Sequence, residues 1–134
     1  MEQIIVHTDG GSRSNPGNAG IGVVARRGGD TLFELSEFLG VQTNNYAEYT
    51  GVIRALEELI ARGLHTEPVA IHMDSKLVVE QVQGNWKVKE PTLKPLVSRA
   101  QELAAQCKSI SFTHIPREKN KEADALANEA MDNA

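Results

Sequence analysis

The chain has 134 residues, a formal net charge of −4, 40% hydrophobic side chains and one cysteine, Cys107. That length suits a single domain, residues 1–134, which can bury a core without staples, and one cysteine excludes an internal disulfide. No apolar run approaches the ~20 residues a bilayer-spanning helix needs, and MEQIIVHTDGG lacks the basic and apolar regions of a secretory leader; a cytoplasmic protein without a membrane partner is expected.

In chain order, Ile4 to Thr8 reads as a strand ending at Asp9. Gly10 to Asn18 collects Gly, Ser, Asn and Pro and reads as a loop. Gly20 to Arg27 and Thr31 to Leu39 read as strands joined by a hairpin at Gly28-Gly29-Asp30. Asn44 to Arg62 is predicted helical: Val52, Ala55, Leu56, Leu59 and Ile60 fall on one face at the 3.6 period, and Gly63 can stop the helix. Val69 to Met73 is a short apolar strand, and Ser75 can cap a helix running to Gln83. Pro91 to Gln106 carries a helical stripe of Leu93, Leu96, Val97, Ala100, Leu103 and Ala104. Ile110 to Ile115 is a strand and Lys121 to Met131 a final helix. The order βββαβααβα predicts an α/β fold: a mixed five-stranded sheet with helices on both faces and right-handed crossovers.

Charge is uneven along this order. Between residues 75 and 99, Lys76, Lys87, Lys89, Lys94 and Arg99 outnumber Glu80 and Glu90, so a basic island interrupts an acidic chain. A solvated face is the bland explanation; a phosphate-binding surface is the functional one.

Four carboxylates stand in unusual places. Asp9 and Asp74 follow strands with the same local pattern, Ile5-His7-Asp9 and Ala70-His72-Asp74. If those strands lie parallel and adjacent, both side chains leave the same end on the same face, where open α/β sheets bind ligands. Glu48 lies on the apolar stripe of its helix, four residues before Val52, although acidic side chains belong in solvent unless paired. Asp124 shares a face with Ala127 and Met131. Each has a bland explanation alone: a turn, a helix cap, or an answer to a helix dipole. Jointly, clustered carboxylates repel and raise one another's pKa, which is tolerable when cations sit among them, and all-oxygen ligands favour Mg²⁺ or Mn²⁺. Two such ions about 4 Å apart could clamp an in-line phosphoryl displacement. On this reading Asp9 holds metal, and Gly10 and Gly11 lack side chains so that backbone N–H groups can approach a polar ligand.

The segments TDGGSRSNPGNAG, TNNYAEYTG, HMDSKLVVEQVQGNWK and HIPREKNKEADALAN resemble, in order, the motifs of the type 1 ribonuclease H family. The resemblance spans nearly the whole chain. It implies the ribonuclease H-like fold and an endonuclease that hydrolyses the RNA strand of RNA/DNA hybrids with two Mg²⁺ ions, Mn²⁺ substituting. Asp9, Glu48, Asp74 and Asp124 match the metal-binding set, with Asp9 expected to bridge the ions, Glu48 and Asp74 to complete one shell and Asp124 the other. Asn15, Asn44 and Asn45 match residues lining the hybrid's minor groove, and Gly10, Gly11 and Ser12 would face the RNA, whose 2′-hydroxyls such groups can read. Ser75, Lys76, Trp86 and Lys87 would complete the substrate surface.

Two departures from the family pattern stand out. The segment from Trp86 to Pro91 leads quickly into the next helix, so the long basic protrusion of many bacterial relatives is absent. Lys76, Lys87, Lys89 and Lys94 form a smaller phosphate-binding surface, and binding should be salt-sensitive. This resembles a compact subgroup, some of whose members also cut double-stranded RNA. The auxiliary catalytic residue is either His114, in a strand, or Arg117, in the loop before Asp124; Arg117 is favoured because a mobile group needs a mobile backbone. The competing reading is a non-catalytic module binding hybrid or double-stranded RNA, disfavoured because all four acidic positions are filled. Nothing demands more than a monomer. His7 and His72 read as interior histidines, His65 as inert, and Cys107 lacks the neighbours of a nucleophile.

Overall fold

The computed structural model describes residues 2–134. Its sheet has the strand order β3-β2-β1-β4-β5. Strands β1 (Ile4–Ser12), β2 (Gly17–Arg27) and β3 (Asp30–Gln42) form an antiparallel meander. β1 also pairs in parallel with β4 (Pro68–Met73), and β4 in parallel with β5 (Ser109–His114). Four helices accompany them: α1 (Asn44–Ala61), α2 (Lys76–Val82), α3 (Lys94–Ala105) and α4 (Lys121–Asp132). This is the mixed sheet and element order expected from the sequence, with short 3-10 turns added at Leu64–Thr66 and Arg117–Lys119.

β1 alternates as a half-buried strand should: Ile4, Val6, Thr8 and Gly10 are buried, while Ile5, His7 and Asp9 on the other face are half-buried. It does not stop at Thr8. Gly10, Gly11 and Ser12 pair with Ile21, Gly20 and Ala19 of β2, so the predicted loop shrinks to the few residues around Ser14 and Pro16. Strand propensity is weak and contextual, and the ladder to β2 overrides it. The parallel partner β4 does end early, at the pair Thr8↔Met73. Asp9 is therefore inside its strand, at the point where β1 loses one neighbour and keeps the other.

On one face, α1 buries Tyr49, Val52, Ala55, Leu56 and Leu59 against Ile4, Val6, Ile21, Val23 and Ile71, and Val97, Ala100 and Leu103 of α3 extend the same core. Each large side chain buried there contributes about 1.5–3 kcal/mol. The opposite face carries α4, which buries only Ala123, Ala127 and Ala130. Small residues on both sides allow close approach: a Cβ on Gly22 would lie 2.1 Å from the carbonyl oxygen of Ala123.

The helix boundaries follow local chemistry. Thr43 caps α1 by accepting from the Tyr46 N–H (3.2 Å), and Gly63, with φ +71°, follows its end. Ser75 caps α2 by accepting from the Val78 N–H (3.3 Å). α3 begins at Lys94 rather than Pro91. Glu90 holds the preceding segment in a turn, its carbonyl accepting from the Leu93 N–H and its carboxylate from Thr92, and Pro95 sits in the first helical turn, where its missing N–H costs nothing. Among the described residues, no helix is long and apolar enough to cross a membrane.

Candidate active site

The parallel register sets His7 beside His72 and Thr8 beside Met73, so Asp9 and Asp74 emerge together where β4 ends. Glu48 joins them from α1. Carboxylate oxygens of Asp9, Glu48 and Asp74 lie within 4.8 Å of one another. Asp124, in the first turn of α4, borders the same pocket of about 440 Å³. The four predicted carboxylates thus converge, three as a tight cluster and the fourth alongside.

Gly10 explains how Glu48 comes so near. A Cβ there would lie 2.3 Å from the carbonyl carbon and oxygen of Ala47 and 2.6 Å from the Glu48 nitrogen. Gly10 borders the pocket, but its missing side chain has a packing cause that the sequence did not show: α1 lies directly on the strand backbone. Gly11 also borders the pocket, and a Cβ there would meet only Met131 Cε at 3.7 Å and Asn44 Oδ1 at 4.0 Å, so no such packing demand acts on it.

Burial and mutual repulsion dominate the electrostatics. Burial, then Asp74, then the neighbouring carboxyl of Asp124 and the charge of Glu48, push the Asp9 carboxyl up to about 8. Glu48 is pushed up to about 7, mainly by burial and then by Asp74, against the hydrogen bond from Ser75 and the positive charge of Arg117. A site that makes its own acids hold protons near neutrality accommodates positive charge readily. Its donors are all carboxylate oxygens, the chemistry that suits hard divalent cations.

Arg117 borders the pocket, its Nη2 3.5 Å from Asp124 Oδ1, and its side chain is mostly exposed. It sits in the 3-10 turn rather than in irregular loop. His114 is the exposed last residue of β5 and lies outside the pocket lining. Of the predicted amides, Asn44 and Asn45 border the pocket and Asn15 lies behind Asn44: Asn15 Oδ1 accepts from the Asn44 N–H (3.1 Å), and Asn44 Oδ1 accepts from the Ser12 N–H (2.8 Å), locking the β1–β2 loop to the start of α1. Ser75, next to Asp74, caps α2 with its hydroxyl and lies outside the pocket lining.

Asn45 borders both this pocket and a neighbouring groove of about 620 Å³ lined by Trp86, Lys87, Lys89 and Leu93. Trp86 is 44% exposed, and the Lys76 ammonium lies 5.9 Å from its ring centroid. The tryptophan and two lysines of the basic island are therefore surface groups beside the acidic pocket. His7 and His72 are half-buried rather than interior, edge-to-face at 5.2 Å.

Three residues at the site carried no prediction. Asn128 donates to the Asp124 carbonyl (3.0 Å) and carboxylate (3.3 Å); its place four residues after Asp124 on one helix was a usable signal. Arg13 pairs with Asp132 and donates to the Asn128 carbonyl, holding the β1–β2 loop against α4. Asn120 is buried and donates to the Thr8 carbonyl (2.9 Å), tying the start of α4 to the strand beside Asp9.

Comparison with known proteins agrees with this geometry. Residues 7–130 match the family described as reverse transcriptase-like. LC11-RNase H1, isolated from compost and solved in complex with an RNA/DNA hybrid, is 49% identical; it superposes with a TM-score of 0.91 and covers 97% of each chain. The chain belongs to the type 1 ribonuclease H family. Ribonuclease HI of Halobacterium salinarum is 41% identical over 133 residues, covering 98% of this chain and 66% of the relative. The bifunctional protein Rv2228c of Mycobacterium tuberculosis is 47% identical over 134 residues, covering 98% of this chain. The chain spans 36% of the length of that relative.

Proposed function

We propose that this chain is an endonuclease that hydrolyses the RNA strand of RNA/DNA hybrids, using Mg²⁺ with Mn²⁺ as a substitute. The observation that carries the reading is the meeting of Asp9, Glu48 and Asp74 within 4.8 Å, with Asp124 beside them. Carboxylates without cations would repel a phosphate backbone, so a module built only to bind nucleic acid gains nothing from them. Asp9, Glu48, Asp74 and Asp124 would hold the ions. When bound, divalent cations supply the positive charge that draws in a phosphate and makes a water nucleophilic.

The chain's own groups do the rest. Asn44 and Asn45, with Asn15 behind them and the backbone from Gly11 to Ser12, present amides and N–H groups along the rim, where 2′-hydroxyls distinguish RNA from DNA. Lys76, Lys87 and Trp86 offer charge and a stacking face to the other strand. Arg117 places an exposed cation at the edge of the acidic pocket, suited to neutralising the departing phosphate. One chain supplies all four carboxylates and both flanking surfaces, so a monomer is sufficient. The single cysteine fits a cytoplasmic setting.

The test is divalent-dependent cleavage. Labelled hybrid incubated with the protein should yield shorter RNA with Mg²⁺ and none with chelator, and Asp9→Asn should remove the product while leaving the fold intact. Double-stranded RNA run beside the hybrid measures how far the compact surface relaxes substrate choice. Binding without any divalent-dependent product would favour a non-catalytic module.

A further inference from the structure

The segment carrying Trp86 and Lys87 has no long protrusion to support it, yet it is well anchored. The end of α2 holds its beginning: the N–H groups of Asn85 and Trp86 both donate to the Glu80 carbonyl (2.9 and 3.3 Å), and Gly84, at φ +83°, turns the chain back. Beyond Trp86 the support changes. Among the described residues, the only hydrogen bond made by the backbone of residues 87–89 is the one from Gln81 Nε2 to the Lys87 carbonyl (3.1 Å). Gln81 is itself fixed at its other end, where the hydroxyl of Tyr49 donates to Gln81 Oε1 (2.5 Å).

Tyr49 is completely buried and Gln81 is 5% exposed. Putting a phenol and an amide in a core costs free energy unless both are bonded, and here both ends of the amide are used. An aliphatic side chain at position 81, beside Leu77 and Leu93, would fill the same space without that demand. The polar pair adds what an aliphatic one cannot: a directional bond to the Lys87 carbonyl, beside the packing of Val88 against the core. Tyr49 is also the neighbour of Glu48 and lies one turn from Asn45 on α1.

We propose that Tyr49 and Gln81 are positioning residues, a buried clamp that fixes the Trp86–Lys87 segment relative to the helix bearing Glu48 and so sets how tightly substrate is held. The substrate half of this inference rests on the hybrid-cleaving function above; the clamp itself does not. A segment held in place before binding avoids the ordering cost otherwise taken from affinity. Loosening it raises KM for hybrid roughly 3- to 10-fold, the range expected for one or two side chains that must order on binding.

Trp86 is the sole tryptophan, so its fluorescence reads the segment without a label. The experiment compares wild type, Tyr49→Phe, and the double variant Tyr49→Phe/Gln81→Met, which leaves no orphaned polar group on either partner. Acrylamide quenching of Trp86 is measured in the free protein, followed by KM and kcat on hybrid and the melting temperature. The clamp predicts more efficient quenching in both variants, with KM rising by more than kcat falls. Unchanged quenching in a folded variant overturns it, as does a lowered melting temperature with quenching and KM unmoved, the signature of a purely structural pair. Tyr49→Phe, the milder change, decides the matter if the double variant does not fold. Wild-type protein that neither binds nor cuts hybrid would sink the function alone, because the quenching comparison needs no substrate.

Discussion

Removing the charge at Asp9 should make the metal-free protein more stable near pH 8, not less. In the unfolded chain Asp9 releases its proton near 3.8; in the folded chain it keeps it up to about 8. Between those values the folded state binds a proton that the unfolded state lacks, so stability falls as pH rises. A fully shifted group gives a slope of about 1.4 kcal/mol per pH unit. Both carboxylates retain some contact with water, so about half that slope is expected, or about 2 kcal/mol lost through Asp9 between pH 5 and pH 8. Glu48 adds a second decline between 4.5 and about 7. For a chain of this size the Asp9 share alone amounts to roughly 5–10 °C in melting temperature. The assay is unfolding followed by circular dichroism in chelator, from pH 5 to pH 8, for wild type and Asp9→Asn. The gap between the two should be smallest at pH 5, the low end of the range, and widen as pH rises, with the variant the more stable. Added Mg²⁺ should stabilise wild type at pH 8 and the variant much less. Parallel pH profiles for the two proteins would refute the argument, since the repulsion would then reside elsewhere.

Other outcomes follow from particular contacts. Gly10→Ala should cost about 3 kcal/mol or more by driving a methyl into the Ala47 backbone, whereas Gly11→Ala should change the melting temperature little; thermal unfolding of both checks this. Arg117→Ala should lower cleavage roughly 10- to 100-fold, while His114→Ala should stay near wild type, because only Arg117 borders the acidic pocket; initial rates on hybrid decide between them. Lys87→Ala should weaken hybrid binding and reduce the slope of log affinity against log salt by about 0.7–0.9, as expected for one lost phosphate contact, measured by titration at several salt concentrations.

The sequence made the element order legible because each helix and strand carries its own period. The alignment of Asp9 with Asp74 was legible because their strands share a pattern whose parallel pairing fixes register. The length of β1 was not. Gly10, Gly11 and Ser12 are turn-forming residues by local preference, and only the facing residues Ala19 to Ile21 make them strand. The reason for Gly10 was hidden likewise: a ligand and a crossing helix demand the same missing side chain, and only the helix position separates them. Arg117 against His114 could be weighed only by backbone context; which of the two side chains borders the pocket became visible with the fold. Tyr49 and Gln81 are 32 residues apart and read singly as ordinary helix residues; a buried polar pair has no signature until both helices are in place.

The architecture also shows why the acids meet where they do. A sheet of strands with equal ends would bury Asp9 between two neighbours and leave no opening. Here β4 stops at Met73 while β1 continues along β2 to Ser12, leaving a notch on one side of Asp9. α1 closes over that notch with glycine on both surfaces: Gly10 admits the Ala47–Glu48 backbone, and a Cβ on Gly51 would come within 3.1 Å of the Asp9 carbonyl oxygen. Helix and strand thus approach backbone to backbone, and Glu48 arrives beside Asp9 and Asp74 without a long reach of its own. On the far face, Asn120 ties the start of α4 to the Thr8 carbonyl and fixes Asp124 by the same economy of distance. Short tethers are what repelling charges require, since any slack would let them part until cations arrived. The site's stored repulsion and its readiness for divalent ions are therefore one structural fact, set by two glycines, one asparagine and the unequal ends of two strands.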